Sequence, residues 1–157
     1  MMGAHRMSVA GTLALMISCS DSAGPSPVYP ELPDAVRAAA CVRGNLTVGQ
    51  SAGSTMDALD CDQGFHYYET YVVKVVQDRA VDILMTPQGF DAYLLIAQIT
   101  SFTADSLYYT IIGEDDDGIS GVNGRISQFD LSAGLDYLVI AGGINYADTG
   151  QYVLRVQ

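Results

Sequence analysis

Residues 67–85 read YYETYVVKVVQDRAVDILM, and this stretch decides the fold. Tyr71, Val73 and Val75 recur at every second position, as do Val81, Ile83 and Met85. A period of two puts alternate side chains on opposite faces of an extended strand, whereas a helix needs apolar residues three and four apart. The same alternation returns in Tyr137, Val139 and Ala141 and in Tyr152, Leu154 and Val156. Working outward, strands are expected over Asn45–Val48, Gly53–Met56, Tyr67–Val76, Ala80–Met85, Ala92–Ile99, Leu107–Ile112, Arg125–Leu131, Leu135–Ala141 and Gln151–Val156, with Gly, Asp, Asn and Pro clusters between them. Such short spacing predicts an all-β, jelly-roll-like antiparallel β-sandwich of about eight strands rather than βαβ units. Ile126 and Phe129 with Leu131 fall on opposite parities, which a bulge near Gln128 reconciles. Val72, Leu84 and Leu95 fall on outward positions, either under a loop or in a contact patch.

The chain has 157 residues, 49% hydrophobic and 16% charged, enough for one domain with a real core. Seven Lys and Arg stand against eighteen Asp and Glu, a net charge of −11. That balance offers no basic surface to neutralise phosphates and argues against nucleic acid as a partner.

At the N-terminus, His5 and Arg6 precede an apolar run from Met7 to Ile17 that is too short to span a bilayer and reads as an export leader over residues 1–18. Its end, Met16-Ile17-Ser18-Cys19, resembles the bacterial lipoprotein box, with Met16 where Leu is usual. The resemblance implies that Cys19 becomes the mature N-terminus and carries lipid, anchoring the protein to the cell envelope. Ser20 behind it favours the outer membrane where the cell has one. Buried methylenes contribute about 0.8 kcal/mol each, so two or three acyl chains hold stably. Residues 19–33 then hold four of the five prolines and read as a tether. Asp34 offers an N-cap for a short helical stretch over Ala35–Ala40, and the domain proper runs over 34–157. With Cys19 lipidated, Cys41 and Cys61 remain as a disulfide pair suited to an oxidising compartment. A zinc site is the rival reading, but neither cysteine has a second Cys or His at ligand spacing.

From Cys41 to Gln157 the chain resembles the bacterial pre-peptidase C-terminal domain. The matching pieces, in order, are Cys41 and Asp60-Cys61 around Leu46–Gly53, then Tyr68-Glu69-Thr70-Tyr71, then Phe90-Asp91-Ala92-Tyr93-Leu94. Asp115-Asp116-Asp117-Gly118 with Asn123-Gly124-Arg125-Ile126, Ala133-Gly134 with Tyr137, and Gly150-Gln151-Tyr152-Val153-Leu154 complete the set. The sequence departs from the pattern at Glu69, where Asp is usual, and over Thr100–Tyr109, where a short turn is usual. The resemblance implies a β-sandwich module found at the ends of secreted peptidases.

The residues give little support to catalysis. His66 is the one histidine after the leader, and no G-x-S-x-G, P-loop or H-E-x-x-H motif accompanies it. The expectation is a non-catalytic binding or accessory module that meets an extracellular polymer or an envelope protein, with Tyr93 and Leu95 on the contact face. The alternative is an accessory partner of a separately encoded secreted peptidase or other hydrolase. No cofactor is required. Glu114-Asp115-Asp116-Asp117-Gly118 concentrates carboxylates in one loop, where Ca²⁺ held by Asp115, Asp116 and Asp117, assisted by Asp91 or Glu114, would relieve their repulsion. The competing reading is a solvated turn whose side chains cap their own backbone.

Overall fold

A computed structural model describes residues 32–62, 66–104, 106–115, 122–145 and 148–157. Among them one helix, α1 (Asp34–Ala39), precedes ten strands: β1 (Val42–Leu46), β2 (Ser51–Met56), β3 (Cys61–Asp62), β4 (Tyr67–Lys74), β5 (Arg79–Pro87), β6 (Ala92–Phe102), β7 (Leu107–Asp115), β8 (Gly124–Leu131), β9 (Asp136–Gly143) and β10 (Gly150–Val156). The first sheet runs β1-β4-β9-β6-β7, with β3 paired to β4. The second runs β2-β10-β5-β8. The two sheets form the expected sandwich, and its pairs are antiparallel except for β1 and β4, which are parallel. Parallel pairing needs a long crossover, supplied here by β2 and β3.

All twelve side chains assigned inward by alternation are buried in one core between the sheets. Leu46, Met56, Phe90, Ala92, Leu94, Ile96, Ile126 and Leu131 complete it. The expected bulge lies at Gln128: Val81 pairs with Phe129 and Ile83 with Ile126, so Ser127 and Gln128 stand opposite Asp82 alone. Gln128 takes φ +50°. Its N–H donates to Asp82 Oδ1 at 2.7 Å, and Arg125 Nη2 donates to Asp82 Oδ2 at 2.8 Å. These donors, the Gln128 N–H foremost, hold the Asp82 carboxyl below the usual carboxylate range.

A second hydrophobic cluster lies outside the first sheet, where Leu32 and Val36 of the α1 segment cover Val72, Ala97 and Leu138. Six helical residues are too few to hold a helix in water, so α1 persists because burying Leu32 and Val36 contributes about 1.5–3 kcal/mol each. The helix starts one residue earlier than expected. Pro33 occupies the N-cap position in place of Asp34, which makes no side-chain cap and instead places its carboxylate in the first turn. Val72 is thus covered by α1, while Leu84 on the second sheet is half-buried.

Candidate functional site

The outer face of the first sheet is built in rows set by strand register. Val72, Leu138 and Ala97 form one row, Thr70, Ile140 and Leu95 the next, and Tyr68, Gly142 and Tyr93 the third. The α1 segment covers the first row and stops at the second. There the Thr70 hydroxyl donates to Ala40 O at 2.7 Å and the Thr70 N–H to Cys41 O at 3.0 Å, fixing the end of the helix. Cys41 ends it in the left-handed conformation, φ +55°, where glycine is usual.

Beyond that boundary the sheet face is open. Tyr68 and Tyr93 stand on either side of Gly142, which contributes no side chain, and the result is a groove of about 290 Å³ closed by His66, Leu95, Ile140 and Ile144. A Cβ on Gly142 would come within 3.2 Å of Tyr67 O and 3.6 Å of Tyr68 Cβ, so the glycine permits the close backbone floor as well as the opening. Tyr93 is steadied by its hydroxyl, which donates to Glu114 Oε2 at 3.2 Å. Among the described residues, no carboxylate, thiol or aliphatic hydroxyl lines this groove. Its chemistry is that of contact: aromatic faces, an aliphatic floor and an imidazole at the rim.

Tyr93 and Leu95, the residues expected on the contact face, both line the groove. Tyr68, Ile140 and Gly142 were not anticipated. The acidic residues are placed differently. Glu114 engages Tyr93, and Asp115 Oδ2 accepts the Arg125 N–H. Asp91 is half-buried with Oδ1 making no hydrogen bond. Asp116 and Asp117 lie outside the described residues, as does Cys19. Among the described residues no group of three or more His, Cys, Asp or Glu side chains comes together to hold a metal, so Asp91, Glu114 and Asp115 are not gathered into one site. Cys41 and Cys61 are joined, with Cα atoms 6.0 Å apart. Asp57 and Asp60 shape the preceding turn: Asp57 Oδ1 accepts the Leu59 N–H and Asp60 Oδ2 the Asp57 N–H, each at 2.7 Å.

Beneath the open edge between β1 and β2 lies a buried polar network. The Glu69 carboxylate, 1% exposed, accepts from the hydroxyls of Ser54, Tyr71 and Tyr152 and pairs with Arg43 Nε at 2.8 Å. Arg43 Nη2 also pairs with the buried Asp60 carboxylate, and the Tyr71 and Tyr152 hydroxyls lie 2.9 Å apart. Burial foremost, with Glu69 alongside, pushes both tyrosine hydroxyls above the ordinary phenol value, Tyr152 furthest. Charge compensation inside a core, not ligand contact, is what this cluster provides.

No family model matches the sequence, and no curated protein matches it. Solved structures do match the fold. The pre-peptidase C-terminal domain of a collagenase from Bacillus anthracis superposes with a TM-score of 0.53 at 13% identity, covering 73% of this chain and 93% of that one. CorA, a surface-associated copper-binding protein of Methylomicrobium album BG8, superposes with a TM-score of 0.53 at 13% identity, over 74% of this chain and 98% of its own. The chain thus has the β-sandwich fold of a pre-peptidase C-terminal domain.

Proposed function

We propose that this protein is a non-catalytic, lipid-anchored envelope protein whose groove between Tyr68 and Tyr93 binds a neutral polysaccharide outside the cell. The groove carries the reading: two tyrosines flank a glycine floor in an opening of about 290 Å³ whose lining joins aromatic rings to an aliphatic floor. A net charge of −11 disfavours anionic polymers. The Cys41–Cys61 bridge supports an oxidising, extracytoplasmic location, and one of the proteins similar in fold, CorA, is surface-associated. The likeness to a domain of a collagenase supports a second reading, in which the polymer is the protein substrate of a separate secreted peptidase.

Co-sedimentation of the protein with chitin, cellulose and denatured collagen tests both. Retention on a polysaccharide, reduced about tenfold or more by Tyr93→Ala and by Leu95→Ser with melting temperatures within a few degrees of wild type, is expected for a loss of about 1.4 kcal/mol or more. Retention on denatured collagen alone favours the second reading, and equal retention of all three proteins removes the groove as the contact. Lipidation is tested separately: labelling with a fatty-acid probe should disappear in Cys19→Ala, and label retained in that variant overturns the anchor.

A further inference from the structure

Another unpartnered surface is β7. It ends the first sheet, with no strand on its far side among the described residues. Tyr108 and Ile111 are about half exposed (52% and 51%), and Tyr109 and Ile112 are also exposed, so side chains on both faces of the strand meet water. An edge strand leaves alternate N–H and C=O groups open to another chain. Native proteins blunt such edges with Lys, Pro, bulges or brevity. β7 uses one of these: Ile112 is an extra residue between the Ile96–Gly113 and Ala97–Ile111 pairs. From Leu107 to Ile111 there is no bulge on β7, no proline and no charge.

Charge decides the occupant. The uncharged run Leu107–Gly113 is bracketed in sequence by Asp105 and by Glu114-Asp115, and neither β6 nor β7 carries a basic residue. Two copies paired through β7 would each bring a net charge of −11 and the same Glu114-Asp115 end to one seam, a like-charge arrangement. A partner strand with cationic ends meets the same brackets favourably.

We propose that β7 is a docking edge for an extended peptide strand of about five residues, β-branched or aromatic and flanked by lysine or arginine, supplied by a partner polypeptide. Main-chain hydrogen bonds along Leu107–Ile111 hold it, its apolar side chains cover Tyr109 and Ile111, and its cationic flank meets the Glu114-Asp115 end of β7. This edge is separate from the tyrosine groove, and either can fail without the other.

The probe is a blocked peptide of alternating valine and threonine with two lysines at each end, titrated into the ¹⁵N-labelled full chain. Amide shifts concentrated at Tyr108–Ile112 are expected, with binding that weakens about tenfold or more when salt is raised from low to high ionic strength. A peptide N-methylated at alternate residues, and one flanked by glutamates, should each lose binding about tenfold or more against the unmodified wild type. Ile111→Lys and Tyr109→Lys, changes at exposed positions, should do the same. Equal binding by the N-methylated peptide, shifts centred on Tyr68 and Tyr93, or a peptide-free dimer paired through β7 overturns the proposal.

Discussion

Replacing Glu69 by alanine is expected to destabilise the fold by about 3–5 kcal/mol, read as a lower urea midpoint at unchanged slope. Three hydroxyls and one guanidinium converge on that carboxylate, and two of the hydroxyls, on Tyr71 and Tyr152, are almost wholly buried. Hydrogen bonds to a charged acceptor contribute about 1.5–3 kcal/mol each, and a stranded buried donor loses its solvation as well. Arg43 softens the blow, since its side chain is half exposed and keeps Asp60 as a partner. The tyrosines keep each other, at 2.9 Å, and Tyr71 keeps Ser54, but neither retains a charged acceptor. Glu69→Gln preserves the volume but removes the charge, and its effect should lie between wild type and alanine. A glutamine variant within about 0.5 kcal/mol of wild type would show that shape, not charge, holds the network.

The same cluster fixes an alkaline limit. Both tyrosines have folded-state values raised above their unfolded one, so their contribution is complete below about pH 10 and is lost as pH climbs through the range between the two states. Each ionising tyrosine costs at most about 1.4 kcal/mol per pH unit there, and Tyr152→Phe should flatten that slope while lowering stability at neutral pH. A midpoint that stays level to about pH 12 would mean the hydroxyls ionise freely, contrary to their burial.

Much of this was legible in the chain because alternation is a local signal. Twelve inward side chains and the bulge at Gln128 followed from parity alone. What escaped were features set by distant partners. The parallel β1–β4 pair and two-residue β3 leave no periodic trace. Strand ends moved by up to three residues, because pairing, not composition, decides where a ladder stops. The helix was expected, but its role as a cover for half of one sheet face was not, and that cover is what defines the groove. Tyr93 and Leu95 announced themselves as outward residues on an apolar strand. Their neighbours Ile140 and Tyr68 come from strands remote in sequence, and Gly142 matters for the side chain it lacks. Glu69 did carry a signal: it shares the inward parity of Tyr71 and Val73, so a buried carboxylate needing partners was implied there.

Removing the Cys41–Cys61 bridge with alanine at both positions should cost about 3 kcal/mol in the chain-entropy model, which for a domain of this size lowers the melting temperature by roughly 10 °C. The bridge closes twenty residues of sequence and sits where its loss has structural reach. Cys41 immediately precedes β1, the terminal strand of the first sheet on its own edge, and Cys61 begins β3, which pairs with the same β4 further along. Arg43 follows the first cysteine by two residues and Asp60 precedes the second, so the covalent link holds the two halves of the Arg43–Asp60 ion pair in register. The amides of Val42–Leu46 should therefore exchange faster in the double variant than those of β9, deep in the sheet. Combining it with Glu69→Gln should give less than the sum of the separate losses, because both changes loosen the same edge. Strict additivity, together with unchanged exchange in β1, would show that the bridge acts on the unfolded chain alone and contributes nothing to the geometry of the polar network.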